Sequence, residues 1–129
     1  APPSSSPEDL ERTSLAVPRA GRTITFDVGA QVVVTGRGLI GRNPTDPGTS
    51  PEPLAHLVPL EDPSRSISKT HLEFGLTDGE FWIADLHSTN GVFVQDSRGE
   101  TRAQVGERIV VAPGSLVRFG ERTFMVEGA

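Results

Sequence analysis

The sequence predicts an all-β fold, because short runs of alternating apolar and polar residues recur from about residue 13 to the end of the chain. In residues 23–28, for example, Ile24, Phe26 and Val28 alternate with polar residues. A period of two is typical of strands that bury one face. Sequences that favour turns separate the runs, and no apolar face recurs at helical spacing. Together these observations indicate an antiparallel β-sandwich.

The remaining strand-like runs follow at short intervals. Their apolar positions are Val32 and Val34; Leu72, Phe74 and Leu76; Phe81 and Ile83; Val92 and Val94; Ile109 and Val111; Val117 and Phe119; and Phe124 and Val126. Turns are expected at RAGR (19–22), TDGE (77–80), SRGE (97–100), APGS (112–115) and FGER (119–122). Trp82 and the six phenylalanines are assigned to the core, because large aromatic side chains favour burial.

The chain divides into a short linker and one domain. Its 129 residues suffice for a single domain with a sizeable core. Residues 1–11 are rich in Pro and Ser and predict a flexible linker, so the domain is expected at 12–128. Within it, residues 43–57 contain four prolines and predict a long loop, exposed to solvent, with a short strand at 56–60.

Composition excludes several classes of function. The chain has no cysteine, so it forms no disulfide or thiolate metal site, and a reducing cytoplasm is the expected location. No apolar run approaches the roughly 20 residues that a membrane helix needs, so no membrane insertion is expected from this segment. A net charge of -5 argues against nucleic acid as a partner. Any phosphate that the protein binds must therefore meet a local cluster of positive charge.

Three polar motifs lie between the predicted strands: Gly-Arg at 41–42, Ser-Lys-Thr-His at 68–71, and DLHSTNG at 85–91. A guanidinium such as that of Arg42 matches two phosphate oxygens at once. In their order and spacing, these motifs resemble those of the forkhead-associated (FHA) family of phosphothreonine-binding β-sandwiches. The resemblance extends over about residues 12–127, and it implies about eleven strands with the ligand loops at one end.

The resemblance implies specific roles for the matching residues. Arg42, Ser68, Lys69 and Thr89 are expected to bind the phosphate, and Asn90 the peptide backbone just after the phosphothreonine. Gly41, His71 and Gly91 are expected to support the loops. Arg37 and Arg65 are expected to add positive charge nearby, and Arg65 and Ser66 to influence peptide choice.

His71 allows two other interpretations. With Ser68 and Asp85 it could form a nucleophilic triad, although the chain lacks a G-x-S-x-G elbow. With His56 and His87 it could bind a metal, although their spacing matches no zinc pattern. We therefore expect no enzyme, metal or cofactor, and treat a small serine hydrolase as the remote alternative.

The expected function is docking of a phosphothreonine-containing protein downstream of a Ser/Thr kinase. The partner can also be the chain's own leading segment, because some bacterial FHA proteins bind their own phosphorylated threonine. Thr13, in DLERTSLAV, is the candidate here. A phospho-independent interaction surface on the sandwich is the main alternative.

Overall fold

The computed structural model describes residues 22–48 and 50–128. The predicted linker at 1–11, the candidate phosphosite Thr13 and the RAGR turn up to Gly21 lie outside the described residues. The described residues form eleven strands: β1 Arg22–Phe26, β2 Gln31–Val34, β3 Arg37–Gly41, β4 Leu54–Pro59, β5 Leu72–Thr77, β6 Glu80–Asp85, β7 Val92–Asp96, β8 Gly99–Arg102, β9 Ile109–Val110, β10 Leu116–Phe119 and β11 Arg122–Gly128.

The strands form two sheets, which confirms the predicted β-sandwich. One sheet has six strands in the order β2-β1-β11-β10-β7-β8, and the other has five in the order β4-β3-β5-β6-β9. All strand pairs are antiparallel except β3 and β4, which are parallel. A parallel neighbour requires a crossover connection, and residues 42–53 supply it.

The core lies between the two sheets and is rich in aromatic rings. Phe26, Phe81, Phe119 and Phe124 contact one another at centroid distances of 5.5–6.4 Å. Such edge and tilted contacts add to the free energy gained by removing apolar surface from water.

Two of the assigned apolar positions lie outside the core. Val28 is 55% exposed, because β1 ends at Phe26 and a turn follows. Phe93 is only partly buried, on the outer face of the six-stranded sheet, because the neighbouring Val92 and Val94 occupy the inner face of β7. The assignment of all six phenylalanines to the core was therefore wrong for Phe93.

The predicted loop at 43–57 is shorter than expected, because β4 begins at Leu54. The described residues of its remaining part, 43–48 and 50–53, pack on the outer face of the five-stranded sheet and are not free in solvent. Asp46 forms an ion pair with Arg37 on β3 at 3.1 Å, and Glu52 pairs with Arg108. We call this segment, residues 43–48 and 50–53, the strap.

The structure contains no helix in the described ranges that is long and apolar enough to cross a membrane.

Candidate functional site

The loops that carry the three motifs meet at one end of the sandwich. Backbone pairing continues beyond β3, since the Arg42 N–H donates to the Ser68 carbonyl at 3.1 Å and the Asn43 N–H to that of Lys69 at 3.0 Å. Gly41 permits this close approach, because a Cβ there would lie 2.0 Å from the Lys69 carbonyl oxygen. The Gly-Arg motif and the Ser-Lys-Thr-His motif are therefore fixed against each other by the backbone.

His71 connects the second motif to the third. Its side chain is fully buried; its Nδ1 accepts a hydrogen bond from the Ser68 N–H at 2.9 Å, and its Nε2 lies 2.9 Å from the Gly91 carbonyl oxygen. Because Nδ1 accepts, the ring proton belongs on Nε2, which donates to Gly91. Burial lowers the pKa of His71, although the Gly91 carbonyl and Asp85 oppose the shift. The neutral ring therefore links two ligand loops.

Gly91 occupies a position that favours glycine. Its φ is +80°, in the left-handed region. The Gly91 N–H also donates a hydrogen bond to Ser88 Oγ at 3.0 Å, and the Ser88 N–H donates to Asp85 Oδ1 at the same distance. Bonds within the DLHSTNG loop thus add to those that join it to His71, Ser68 and Ser66.

Arg42 and Ser68 are oriented but retain hydrogen-bond donors. The Arg42 Nε–H donates to the Ile67 carbonyl at 2.8 Å, and its two terminal nitrogens have no partner among the described residues. Ser68 Oγ accepts the Thr89 N–H at 3.1 Å, which leaves the hydroxyl proton available. Both side chains can therefore donate to an anion without losing the contacts that fix them.

These donors surround one cavity of about 300 Å³. Its lining residues are Arg42, Arg65, Ser66, Ile67, Ser68, Lys69 and Thr89. Three are cations and none is a carboxylate, so the cavity suits an anion within an otherwise acidic chain. The structure thus brings together four of the five predicted ligand residues.

The fifth, Asn90, lies at the edge of the neighbouring hollow. Its Nδ2 donates to the Ser66 carbonyl at 2.7 Å, and it lines a hollow of about 370 Å³ that shares Ser66 with the first cavity. Its amide oxygen has no hydrogen-bond donor among the described residues. This position places Asn90 beside any peptide that leaves the cavity in that direction.

Sequence reasoning missed Asp62, which organises the loop before Ser68. Its carboxylate accepts hydrogen bonds from Ser64 Oγ at 2.6 Å, Ser66 Oγ at 3.0 Å and the Ile67 N–H at 2.7 Å. Partial burial would raise the pKa of Asp62, but these hydrogen bonds lower it to about 2. The sequence DPSRS at 62–66 could have indicated this role, because Asp followed by Ser at short spacing favours loops with such side-chain-to-backbone bonds.

The two residues proposed for peptide selection differ in what remains available to a ligand. Ser66 Oγ is already bonded to Asp62 and to the Glu121 N–H, the latter at 2.8 Å. Arg65 is exposed with a φ of +58°, an uncommon conformation for a residue other than glycine. It lines both the 300 Å³ cavity and an adjacent one of about 710 Å³. Arg65 is therefore the better placed of the two to contact a ligand.

Other sequence suggestions do not fit this geometry. Arg37 is 6% exposed and bound to Asp46 and Glu73, so the expectation that it adds free charge to the site was wrong. The three histidines do not converge: His56 stacks on Phe74, His71 is buried and His87 is exposed. Within the described part of the chain, no group of three His, Cys, Asp or Glu residues could bind a metal ion.

Comparison with known proteins agrees with this architecture. Over 118 residues the chain is 27% identical to an oxoglutarate dehydrogenase inhibitor of Corynebacterium diphtheriae, covering 85% of this chain and 79% of that protein. An FHA domain studied for phosphothreonine-dependent interactions aligns with a TM-score of 0.60 and 25% identity, over 84% of this chain and 97% of that one. An FHA domain of an Arabidopsis thaliana hypothetical protein aligns with a TM-score of 0.64 and 18% identity, over 92% and 93% of the two chains.

The family match covers more than half of the chain. The model of the FHA domain family matches residues 38–120, which run from β3 through all three motifs to the turn after β10. The chain therefore belongs to the FHA domain family.

Proposed function

We propose that the protein is a phosphothreonine-dependent interaction module that binds a phosphorylated protein through the 300 Å³ cavity. The observation that carries the proposal is the convergence of Arg42, Ser68, Lys69 and Thr89 on that cavity. A phosphothreonine has a charge of about -1.5 to -2 near neutral pH and three strong acceptor oxygens. Two arginine N–H groups, an ammonium and two hydroxyls match those oxygens in both charge and donor number.

Phosphothreonine is favoured over other phosphate compounds for two reasons. An FHA domain 25% identical to this chain is described by its phosphothreonine-dependent interactions. In addition, Asn90 lines the hollow next to the cavity, where a side-chain amide can bind an extended backbone. Both features point to a phosphorylated residue within a peptide.

The hydrolase alternative conflicts with the positions of its three residues. Ser68 contributes its backbone N–H, not its hydroxyl, to His71, and the second ring nitrogen is bonded to Gly91. The hydroxyl instead accepts the Thr89 N–H. A general base must lie within hydrogen-bond reach of the proton that it removes, and His71 has neither nitrogen free for Ser68 Oγ. We therefore propose a binding module and not an enzyme.

The partner belongs to the class of proteins phosphorylated by a Ser/Thr kinase. Since the corynebacterial relative is named an oxoglutarate dehydrogenase inhibitor, the 2-oxoglutarate dehydrogenase complex is the first partner to test. We expect the added domain to lower the activity of a corynebacterial dehydrogenase complex. Unchanged activity would remove that partner without affecting the phosphothreonine proposal.

The chain's own Thr13 remains a second candidate ligand. Kinase treatment followed by mass spectrometry should find phosphate on Thr13 if this segment is a substrate. An unmodified Thr13 would remove the self-binding hypothesis. The cytoplasmic location likewise stays a prediction.

Fluorescence polarisation tests the proposed function directly. Degenerate peptide pools that carry phosphothreonine, phosphoserine or unmodified threonine are titrated against wild-type protein, Arg42→Ala and Arg98→Ala. Arg98 is an exposed arginine on the β7–β8 turn and serves as the matched control for loss of charge. We expect binding of the phosphothreonine pool alone, retained in Arg98→Ala and reduced at least 100-fold in Arg42→Ala, since two charge-assisted hydrogen bonds contribute about 3 kcal/mol or more.

Binding that ignores phosphorylation would favour the phospho-independent interaction surface. Full affinity of Arg42→Ala for the phosphothreonine pool would show that the phosphate binds elsewhere.

A further inference from the structure

The step from Asn90 to Gly91 is a chemically reactive point in the DLHSTNG loop. In an Asn-Gly sequence the glycine nitrogen can attack the side-chain amide carbon of the asparagine, because no Cβ on the next residue obstructs it. The chain has two asparagines, Asn43 and Asn90. Asn43 precedes Pro44, whose nitrogen has no proton to lose. Asn90 is therefore the only asparagine of the sequence that can react with its neighbour in this way.

The fold needs both residues of this pair. Gly91 has a φ of +80°, and an added Cβ would lie 3.1–3.3 Å from guanidinium atoms of Arg102, so a side chain there is unfavourable on two counts. Asn90 donates from Nδ2 to the Ser66 carbonyl at 2.7 Å, and its exposed amide can bind a peptide backbone. The reactive sequence is therefore built into the candidate site.

Arg102 places a positive charge beside the reacting nitrogen. Its Nε and Nη2 are the atoms nearest to the position that a Cβ on Gly91 would occupy. Its guanidinium stacks on Phe93 at 5.5 Å from the ring centroid, and it makes no hydrogen bond or ion pair with any residue that the structure describes. The attack requires that the Gly91 nitrogen lose its proton, and an unpaired cation nearby stabilises the negative charge that develops. Arg102 therefore promotes the reaction.

Two hydrogen bonds oppose the reaction. The Gly91 N–H donates to Ser88 Oγ at 3.0 Å, and Asn90 Nδ2 is held by the Ser66 carbonyl. Both bonds must break before the nitrogen can bond to the amide carbon. Because Asn90 is exposed, water can replace these partners, and the two bonds together should slow the reaction by about ten- to hundred-fold. The fold thus delays the reaction without preventing it.

We propose that Asn90-Gly91 is a self-modification site, at which deamidation promoted by Arg102 ends phosphothreonine binding. The Gly91 nitrogen gives its proton to hydroxide and bonds to Asn90 Cγ. The Cγ–Nδ2 bond then breaks, and Nδ2 takes a proton from water and leaves as ammonia. A second water opens the cyclic imide at either of its two carbonyls, which yields aspartate or isoaspartate at position 90.

Neither product can replace Asn90. The new carboxylate is ionised above about pH 4 and has no proton for the Ser66 carbonyl, so two acceptor oxygens face each other. It also brings a negative charge beside the cavity that is proposed to bind the phosphate. Isoaspartate further lengthens the main chain next to Gly91, whose carbonyl is bonded to His71. The loss of binding rests on the proposed function, whereas the modification itself does not.

Peptide mapping by mass spectrometry tests the modification. Folded wild type, Arg102→Gln and Arg98→Gln are kept at mildly alkaline pH, with denatured wild type as the reference for an unrestrained chain. We expect conversion at Asn90 and none at Asn43, about ten- to hundred-fold more slowly in the folded chain than in the denatured one. Arg102→Gln should convert about two- to five-fold more slowly than wild type, as is usual for loss of an exposed charge interaction. Arg98→Gln, which removes a charge from the β7–β8 turn, should convert like wild type.

Fluorescence polarisation tests the consequence. The converted protein is separated from wild type by its additional negative charge and titrated with the phosphothreonine peptide pool. Asn90→Asp, which supplies one of the two products directly, is titrated in parallel. We expect both proteins to bind the pool about ten-fold or more weakly than fresh wild type, because a donor is lost and a like charge is added.

The two measurements contradict the inference at different points. Asn90 that stays unmodified in the folded chain, while the denatured chain converts, would overturn the modification site. Equal or faster conversion of Arg102→Gln would overturn the role of Arg102, and full affinity of the converted protein would overturn the effect on binding. If fresh wild type binds no phosphothreonine peptide, the proposed function fails and the effect on binding with it, but the mapping still decides whether Asn90 is modified.

Discussion

The two ends of β3 each carry an arginine, and their surroundings are opposite. Arg37 begins the strand, is 6% exposed and is bonded to Asp46, Glu73 and the Glu52 carbonyl. Arg42 follows the strand and is exposed, and its guanidinium is bonded only to the Ile67 carbonyl among the described residues. One guanidinium fastens the strap to the sheet, and the other retains its terminal donors. The comparison shows that unpaired donors, more than proximity in sequence, indicate which cation is available to a phosphate.

Arg37→Ala should produce the largest change in stability and thereby sharpen this comparison. The substitution leaves Glu73 and Asp46 without their cation, which typically costs about 3 kcal/mol for a largely buried pair. Thermal or denaturant unfolding measures the effect, with Arg42→Ala as the control that should unfold like wild type. The phosphothreonine affinity of the folded Arg37→Ala variant should stay within a few-fold of wild type. A wild-type melting temperature for Arg37→Ala would contradict the role assigned to Arg37.

Lower pH should reduce the free energy of unfolding through His71, which links the loops of the candidate site. Burial lowers the pKa of His71, so the unfolded chain takes up a proton below about pH 6.5 that the folded chain resists. His56 has a pKa lowered by burial and acts in the same direction. The free energy of unfolding should therefore fall between pH 6.5 and 5, by at most about 1.4 kcal/mol per pH unit for each histidine. Asp62 does not contribute there, since its pKa of about 2 removes its stabilisation only below about pH 4.

Unfolding curves of wild type, His71→Gln and His56→Gln at pH 7 and pH 5 test this assignment. Each variant should lose part of the pH dependence, and an unchanged dependence in His71→Gln would contradict a neutral buried ring. Phosphopeptide binding should also weaken below about pH 6, where the phosphate gains a proton.

The smallest expected effect concerns the contact between the strap and the site. The Thr45 N–H donates to Thr70 Oγ1 at 3.1 Å, next to Lys69 in the second motif. Thr70→Val retains the shape and removes the acceptor, which should cost about 0.5–1 kcal/mol because Thr45 is exposed and its N–H can bond to water. We expect at most a three-fold loss of phosphopeptide affinity in polarisation assays. A loss as great as that of Arg42→Ala would mean that the strap itself forms part of the phosphate site.

Alternation of apolar residues was sufficient to predict the sandwich, because a strand with one buried face shows its period directly in sequence. The prediction that the strap is exposed to solvent was wrong, because a segment rich in prolines and polar residues can also pack on a sheet through ion pairs. Asp46 and Arg37 are nine residues apart, and their pairing depends on the crossover to a parallel strand. Phe93 was misplaced since its immediate neighbours, both valines, compete for the inner face.

The parts of the candidate site that lie within a contiguous sequence motif, at 68–71 and 85–91, could be predicted from the sequence. The roles of Asp62 and Ser66 could not be predicted from the sequence. A carboxylate or hydroxyl that orders a loop has the same chemistry as one that binds a ligand, and only its hydrogen-bond partners in the fold distinguish the two. The contact between Arg102 and Gly91 could not be predicted either, since it depends on the register of β7 and β8. Local sequence thus indicates which residues can bind, and the fold decides which remain free to do so.

An NMR titration of the ¹⁵N-labelled protein with a phosphothreonine peptide tests the central claim most directly. We predict that the largest shifts occur at the Arg42 Nε–H and at the backbone amides of Ser68, Lys69, Thr89 and Asn90, while the Arg37 Nε–H stays unchanged. The unphosphorylated peptide should shift neither arginine. Shifts confined to the outer faces of the sheets, with the Arg42 Nε–H unmoved, would show that the free donors at the end of β3 do not bind the phosphate.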